Sequence, residues 1–176
     1  TYVVHLRRRR DDARVRREAA LLERLAELGL PFAVPRVLSL VPPARGLVMI
    51  EEALWGVALP HNAGVLPGVP APWKVAGRLA AQVHAIDPGL LRELVPAHET
   101  LRAHALAEIA ALESAPEPEL RRAHAWAMEN LPPDEPSVFL HGDLLGQNVL
   151  LRPEEPTALL DWDRAEIGHP AYDIAI

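Results

Sequence analysis

Two carboxylates and a carboxamide carry the chemistry that can be read from this sequence. Asp143 and Asn148 share the stretch His141-Gly142-Asp143-Leu144-Leu145-Gly146-Gln147-Asn148, and Asp161 follows in Asp161-Trp162-Asp163. Between them, the β-prone runs Val149–Leu151 and Ala158–Leu160 flank the turn Arg152-Pro153-Glu154-Glu155-Pro156-Thr157. Antiparallel pairing of these runs sets Asn148, just before the first, beside Asp161, just after the second. Asp143 lies on the loop that feeds the same open end. The set offers hard oxygen ligands and no sulfur, which favours magnesium over zinc. Phosphoryl transfer from a nucleotide asks for such a set. One carboxylate orients and deprotonates the attacking hydroxyl, while an amide and a second carboxylate hold metal on the donor phosphates.

The spacing Asp-x-x-x-x-Asn is that of the protein-kinase catalytic loop, with Gly142 where that loop has Arg. Trp162 stands where Phe follows the metal-binding Asp. With these departures the sequence resembles the aminoglycoside phosphotransferase family, also called the phosphotransferase enzyme family, within the kinase-like fold. The matching residues are His141-Gly142-Asp143, Asn148, Leu160-Asp161-Trp162 and Gly168-His169-Pro170-Ala171-Tyr172-Asp173. Glu18 in Arg16-Arg17-Glu18-Ala19, and Leu79–Asp87 with its His84, add to them. The resemblance covers essentially the whole chain, and it implies an ATP- or GTP-dependent, Mg2+-requiring transfer of phosphate to a hydroxyl of a small molecule.

Carried over by position, the resemblance implies Asp143 as catalytic base, with Asn148 and Asp161 as magnesium ligands. Glu18 becomes the helix carboxylate that pairs a strand cation on the ATP phosphates. Asp173 braces the catalytic loop through backbone hydrogen bonds. The segment Met49–Ala53, with Met49 and Glu51, becomes the hinge that contacts adenine. His5 takes the strand-cation position, where a Lys or Arg is expected. An imidazole is mostly neutral at pH 7 and holds phosphate less well; Arg7 points the same way and is the substitute.

Plainer readings stand beside these. His141 reads as a structural residue that hydrogen-bonds its loop. Asp163 is either a second metal contact or a solvated neighbour. Glu18 could be an ordinary helix-surface residue, and His5 a partly buried strand histidine. Arg7–Arg10 reads as a solvated face, and Trp55, Trp73 and Trp126 as packing residues. Two other function classes fit the residue types. One is a catalytically inactive kinase-like nucleotide-binding protein or fragment. The other is a metal-dependent hydrolase using His141, Asp143, Asp161 and His169, which leaves Asn148 and the hairpin spacing unexplained.

The elements that must position this set follow from patterning. Tyr2–Leu6 reads as a strand, with Tyr2, Val4 and Leu6 on one face and Val3, His5 and Arg7 on the other. A helix begins at Asp11 or Asp12, buries Val15, Ala19, Leu22, Leu25 and Ala26, and stops at Gly29 and Pro31. Strands are expected at Arg36–Val41 and Gly46–Ile50, then a loop from Trp55 to Pro72. Helices are expected at Trp73–Ile86, Leu101–Leu112 and Glu119–Asn130, followed by strands Val138–Leu140, Val149–Leu151 and Ala158–Leu160. Gly168-His169-Pro170 reads as a turn into a helix over Ala171–Ile176. The order gives an α+β, two-lobe, protein-kinase-like plan, divided into residues 1–55 and 56–176. It opens in a strand and closes in a starting helix, so it reads as a fragment of the family fold truncated at both ends.

Composition narrows the class. Over 176 residues, 18 Lys+Arg against 24 Asp+Glu leaves a net charge of −6, which disfavours a nucleic-acid partner. The absence of cysteine rules out a disulfide scaffold, thiolate metal sites and a thiol nucleophile. No run of about 18 apolar residues suggests a membrane span, and no secretory signal pattern opens the chain. The expected setting is the cytoplasm, with a nucleotide and a small hydroxyl-bearing substrate as partners.

Overall fold

The computed structural model of the chain describes residues 1–7, 12–42, 47–59, 72–152 and 157–175, with backbone alone at 5–7 and 175. Strand β1 (Tyr2–Arg7) leads to helix α1 (Asp12–Glu27), and β2 (Val37–Val41) and β3 (Leu47–Glu52) follow. β3 is central, with β1 and β2 antiparallel on either side. Burial alternates along β3, so Leu47, Met49 and Glu51 turn inward, as the two-residue period of a strand requires. The register pairs Val3 with Glu51 and His5 with Met49. These four positions therefore share one face of the sheet.

Helix α1 buries Val15, Ala19, Leu22 and Leu25 at helical spacing, each leucine contributing roughly 1.5–3 kcal/mol of burial. Leu21 joins that face. Ala26, expected in the stripe, is exposed, because it sits a further 100° or so round the helix from Leu25. Gly29 at φ 62° closes the helix.

The stretch expected to be loop from Trp55 contains a short strand, β4 (Val57–Ala58), paired with Leu150 and Leu151. Two residues carry too little pattern to announce a strand; the partner 93 or so positions on supplies the pairing. Residues 60–71, the rest of that loop, lie outside the described residues, as do 153–156 of the hairpin turn, Arg8–Arg10 and Ile176. Helices α2 (Pro72–His84) and α4 (Pro118–Glu129) each begin on proline, whose missing N–H is harmless in a first turn. Between them, the helix expected over Leu101–Leu112 is α3 (Leu101–Ile109) plus a tighter 3₁₀ turn, Ala110–Leu112. Thr100 caps α3 by accepting from the Ala103 N–H at 3.2 Å.

The rest of the chain builds two small antiparallel sheets from β5 (Val138–Leu140), β6 (Val149–Leu151), β7 (Ala158–Leu159) and β8 (Glu166–Gly168). The orders are β4-β6-β7 and β5-β8. Gly168, read as a turn residue, instead closes β8 opposite Val138, and α5 (Tyr172–Ala175) follows. Helices with small antiparallel sheets make the α+β class expected.

One buried core runs from Leu22, Leu25 and Met49 through Leu79 and Val83 to Phe139, Leu159, Trp162 and Ile167. Phe32 and Phe139 stack on Trp162 with ring centroids 6.1 and 6.0 Å away. Trp162 is thus the packing tryptophan. Trp55, Trp73 and Trp126, expected in that role, are 53%, 70% and 67% exposed. Trp55 lies against the Arg152 guanidinium, and Trp73 against the Lys74 ammonium, partners that suit an aromatic face at a wet surface.

Candidate active site

The loop after β5 is held from beneath by a single buried carboxylate. Asp173 Oδ1 accepts from the Gly142 N–H at 2.7 Å, and Oδ2 accepts from the His141 N–H at 3.0 Å. His84 Nε2 lies 3.0 Å from the same Oδ2. Burial by itself pushes this carboxyl up; the hydrogen bonds from His84, His141 and Gly142 outweigh it and hold it below the usual range. The His141 ring is fully buried. Its Nδ1 accepts from the Asp143 N–H at 3.2 Å, so Nε2 carries the proton and donates to the Leu160 carbonyl at 3.0 Å. Burial keeps it neutral, with a pKa below the ordinary value despite Asp173 nearby. With both ring nitrogens engaged inside the protein, His141 is no metal ligand.

The hairpin works as its register dictates. Val149 pairs with Leu159, and the Leu160 N–H donates to the Asn148 carbonyl at 2.8 Å. Asn148 and Asp161 consequently emerge side by side, and both line one cleft of about 340 Å³. Asn148 Nδ2 donates to Asp143 twice, to the backbone carbonyl and to Oδ2, each at 2.9 Å. That leaves the Asn148 side-chain oxygen as the acceptor on the cleft. Asp161 is the one non-glycine residue at positive φ (62°) among the described residues, a conformation that costs about 1–3 kcal/mol and needs surrounding structure to hold it.

Glu18 and Glu51 line the same cleft, joined by Val3, Glu52 and Leu54. Met49 does not: it is fully enclosed, because the inward face of β3 reaches the cleft only at its end. His5 occupies a register position on the cleft face of β1; its side chain lies outside the described residues. Asp163 turns away from the cleft toward α1, where Arg14 Nη2 approaches its Oδ2 at 2.8 Å. Arg14 had no signal beyond standing one helical turn before Glu18. The oxygen donors of Asn148 and Asp161, both on the cleft, suit a magnesium ion.

A second polar cluster borders the loop. His98, His104 and Glu166 bring ligand atoms within 4.8 Å of one another. His104 Nδ1 accepts from the His169 N–H at 2.7 Å, so its neutral ring carries the proton on Nε2, 3.3 Å from Glu166 Oε1. A protonated nitrogen donates and does not bind metal. Burial, with Glu108 and Asp173 nearby, pushes the Glu166 carboxyl from 4.5 up to about 7. The folded state then keeps a proton that the unfolded chain loses. Stability from this group is fully present below about pH 4.5 and is lost as pH rises through 7. Glu166→Gln is expected to match the parent in Tm at pH 5 and to exceed it by several degrees at pH 8. Equal Tm values at pH 8 in thermal melts would exclude this.

The fold is that of the kinase-like aminoglycoside and macrolide phosphotransferases. The chain belongs to the phosphotransferase enzyme family, APH, which it matches over residues 1–176. It superposes on macrolide 2'-phosphotransferase MphH of Brachybacterium faecium with a TM-score of 0.72 and 28% identity, covering 98% of this chain and 61% of that one. Against an APH(2") enzyme bound to GDP and kanamycin the TM-score is 0.69 at 16% identity, covering 98% and 64%. At that identity the likeness speaks for the fold. The human acyl-CoA dehydrogenase family member 11 is 38% identical over 61 residues, 33% of this chain and 8% of that protein. The chain thus spans under two thirds of each of these proteins. Among the described residues, no helix is long and apolar enough to cross a membrane.

Proposed function

We propose that this chain carries the nucleotide-binding and catalytic part of an ATP- or GTP-dependent O-phosphotransferase acting on a hydroxyl of a small molecule, aminoglycoside-like or other. One observation carries the reading: Asn148 is hydrogen-bonded to Asp143 while lining, with Asp161, Glu18 and Glu51, a single cleft. Asp143, with Oδ2 held by Asn148, turns its other carboxylate oxygen to the acceptor hydroxyl and takes its proton as the oxygen bonds the γ-phosphorus, the bond to the β–γ bridging oxygen breaks and the nucleoside diphosphate leaves. Asn148 and Asp161 would hold Mg2+, which would supply positive charge to offset that of the donor phosphates. Glu51, at the cleft end of β3, faces the base of the nucleotide, and Glu18 orients the cation of β1. Asp173 and His141 keep the loop in place. Residues 1–55 and 56–176 act as two lobes that meet at this cleft, and the cytoplasm, where nucleoside triphosphates are held, suits the chemistry. The GDP and kanamycin complex of the related fold supports a nucleotide paired with a hydroxyl-rich acceptor.

A second reading, a nucleotide binder without turnover, is favoured by His5 at the register position opposite Met49, where a neutral imidazole grips phosphate weakly. Calorimetric titration of ATP and GTP, with and without magnesium and with Asp161→Ala, tests the site. Binding that needs both magnesium and Asp161 is expected; no binding of either nucleotide would sink the assignment. Nucleotide turnover in the parent chain, with water or an added acceptor, separates the two readings.

A further inference from the structure

The loop that carries Asp161 is stiff. Trp162, at its centre, is 2% exposed, donates from Nε1 to the Leu159 carbonyl at 3.1 Å and rests against the His141 ring, centroids 4.5 Å apart. The Ala165 N–H closes the turn on the Trp162 carbonyl at 3.1 Å. A loop fixed in this way moves as a unit, so whatever holds Asp163 also holds Asp161.

Arg14 holds Asp163. Its Nη2 reaches both the carboxylate Oδ2, at 2.8 Å, and the backbone carbonyl, at 3.1 Å. Arg14 and Glu18 stand one turn apart and share a face of α1. On that face a cleft of about 280 Å³, lined by Arg14, Glu18, Leu94, Trp162 and Asp163 among others, lies between the start of α1 and the Asp163 loop. The Arg14 guanidinium spans this cleft to reach Asp163.

We propose that Arg14 is a positioning residue, clamping the first turns of α1 to the Asp161 loop and so fixing where Glu18 stands relative to the metal-holding Asp161. The assignment of Asp161 to the metal rests on the phosphotransferase reading; the mechanical coupling does not. The pair, with Arg14 50% and Asp163 16% exposed, reaches the surface through Arg14 and adds little to global stability. Its value lies in registration. Arg14→Lys keeps the charge but puts it on a shorter, more strongly hydrated head group, so it restores the coupling only in part.

The test has two arms, each run on the parent chain, Arg14→Ala, Arg14→Lys, Asp163→Asn and the Arg14→Ala/Asp163→Asn double variant. In the first, without nucleotide, amide hydrogen exchange is followed over 12–18 and 161–165. Arg14→Ala is expected to speed exchange in both segments, with Tm lowered by no more than a few degrees. Faster exchange in α1 alone overturns the coupling. In the second, the half-saturating magnesium concentration for Mg-nucleotide binding is measured. It is expected to rise about three- to tenfold in Arg14→Ala, less in Arg14→Lys, and no further in the double variant. An unchanged magnesium requirement, or additive effects in the double variant, overturns the proposal. Should Arg14→Ala fail to fold, Arg14→Lys and Asp163→Asn decide both arms. If the parent binds no nucleotide, the phosphotransferase reading falls while the exchange arm still decides the coupling.

Discussion

Asp143→Asn is expected to slow phosphoryl transfer by about a thousandfold while nucleotide affinity stays within about threefold. The substitution keeps shape and one acceptor oxygen, so Asn148 Nδ2, now 2.9 Å from Asp143 Oδ2, still finds a partner. The second Asn148 bond, to the backbone carbonyl, is untouched. What is lost is the negative charge and the capacity to take a proton. Transfer to water, read as slow nucleotide hydrolysis, gives a readout that needs no knowledge of the acceptor. Hydrolysis at the parent rate in Asp143→Asn would remove Asp143 from the reaction; loss of nucleotide binding along with it would point to a collapsed loop.

The second large effect is on the loop itself. Gly142 sits at φ 79°, in the region that costs an L-residue about 1–2 kcal/mol. A Cβ there would press into the backbone carbonyl of Arg164, within 2.7 Å of its carbon. Neither side yields easily, since Gly142 is tied to Asp173 and Arg164 follows the buried Trp162 turn. Gly142→Ala is therefore expected to lose about 3–5 kcal/mol, lowering Tm by roughly 10 °C or more. Asp173→Asn makes a useful comparison. It keeps one acceptor but leaves the Gly142 or His141 N–H without its charged partner, and about 1–3 kcal/mol is expected to go. A Gly142→Ala protein that melts with the parent would mean the tight approach is not part of the folded loop.

The parts of this site that could be read from the sequence are those set by short-range rules. The spacing from Asp143 to Asn148, and the two apolar runs around a proline-rich turn, fix one register, and the register alone sets Asn148 beside Asp161. Helix α1 announced itself through Val15, Ala19, Leu22 and Leu25. Features formed across long sequence distances were silent. β8 has three residues and needs β5, 28 positions upstream, to become a strand. His104 and Glu166 are harmless polar residues until Gly168 and His169 bring the ring onto β8. Hydrophobicity misled at the tryptophans, because a large aromatic ring can be satisfied by a neighbouring cation at the surface as well as by a core. Met49 misled in the opposite sense: a hinge position by sequence, it is sealed by the alternation of its own strand.

That uneven distribution of the tryptophans has an optical consequence. Trp55, Trp73 and Trp126 face solvent, and a soluble quencher such as acrylamide reaches them. Trp162 is sheltered, and its ring lies against those of His141, Phe32 and Phe139. Under quencher, the surviving blue-shifted emission belongs to the residue between Asp161 and Asp163. The chain thus carries a built-in fluorophore in its Asp161–Asp163 loop, and a loosened loop can be followed there without any label.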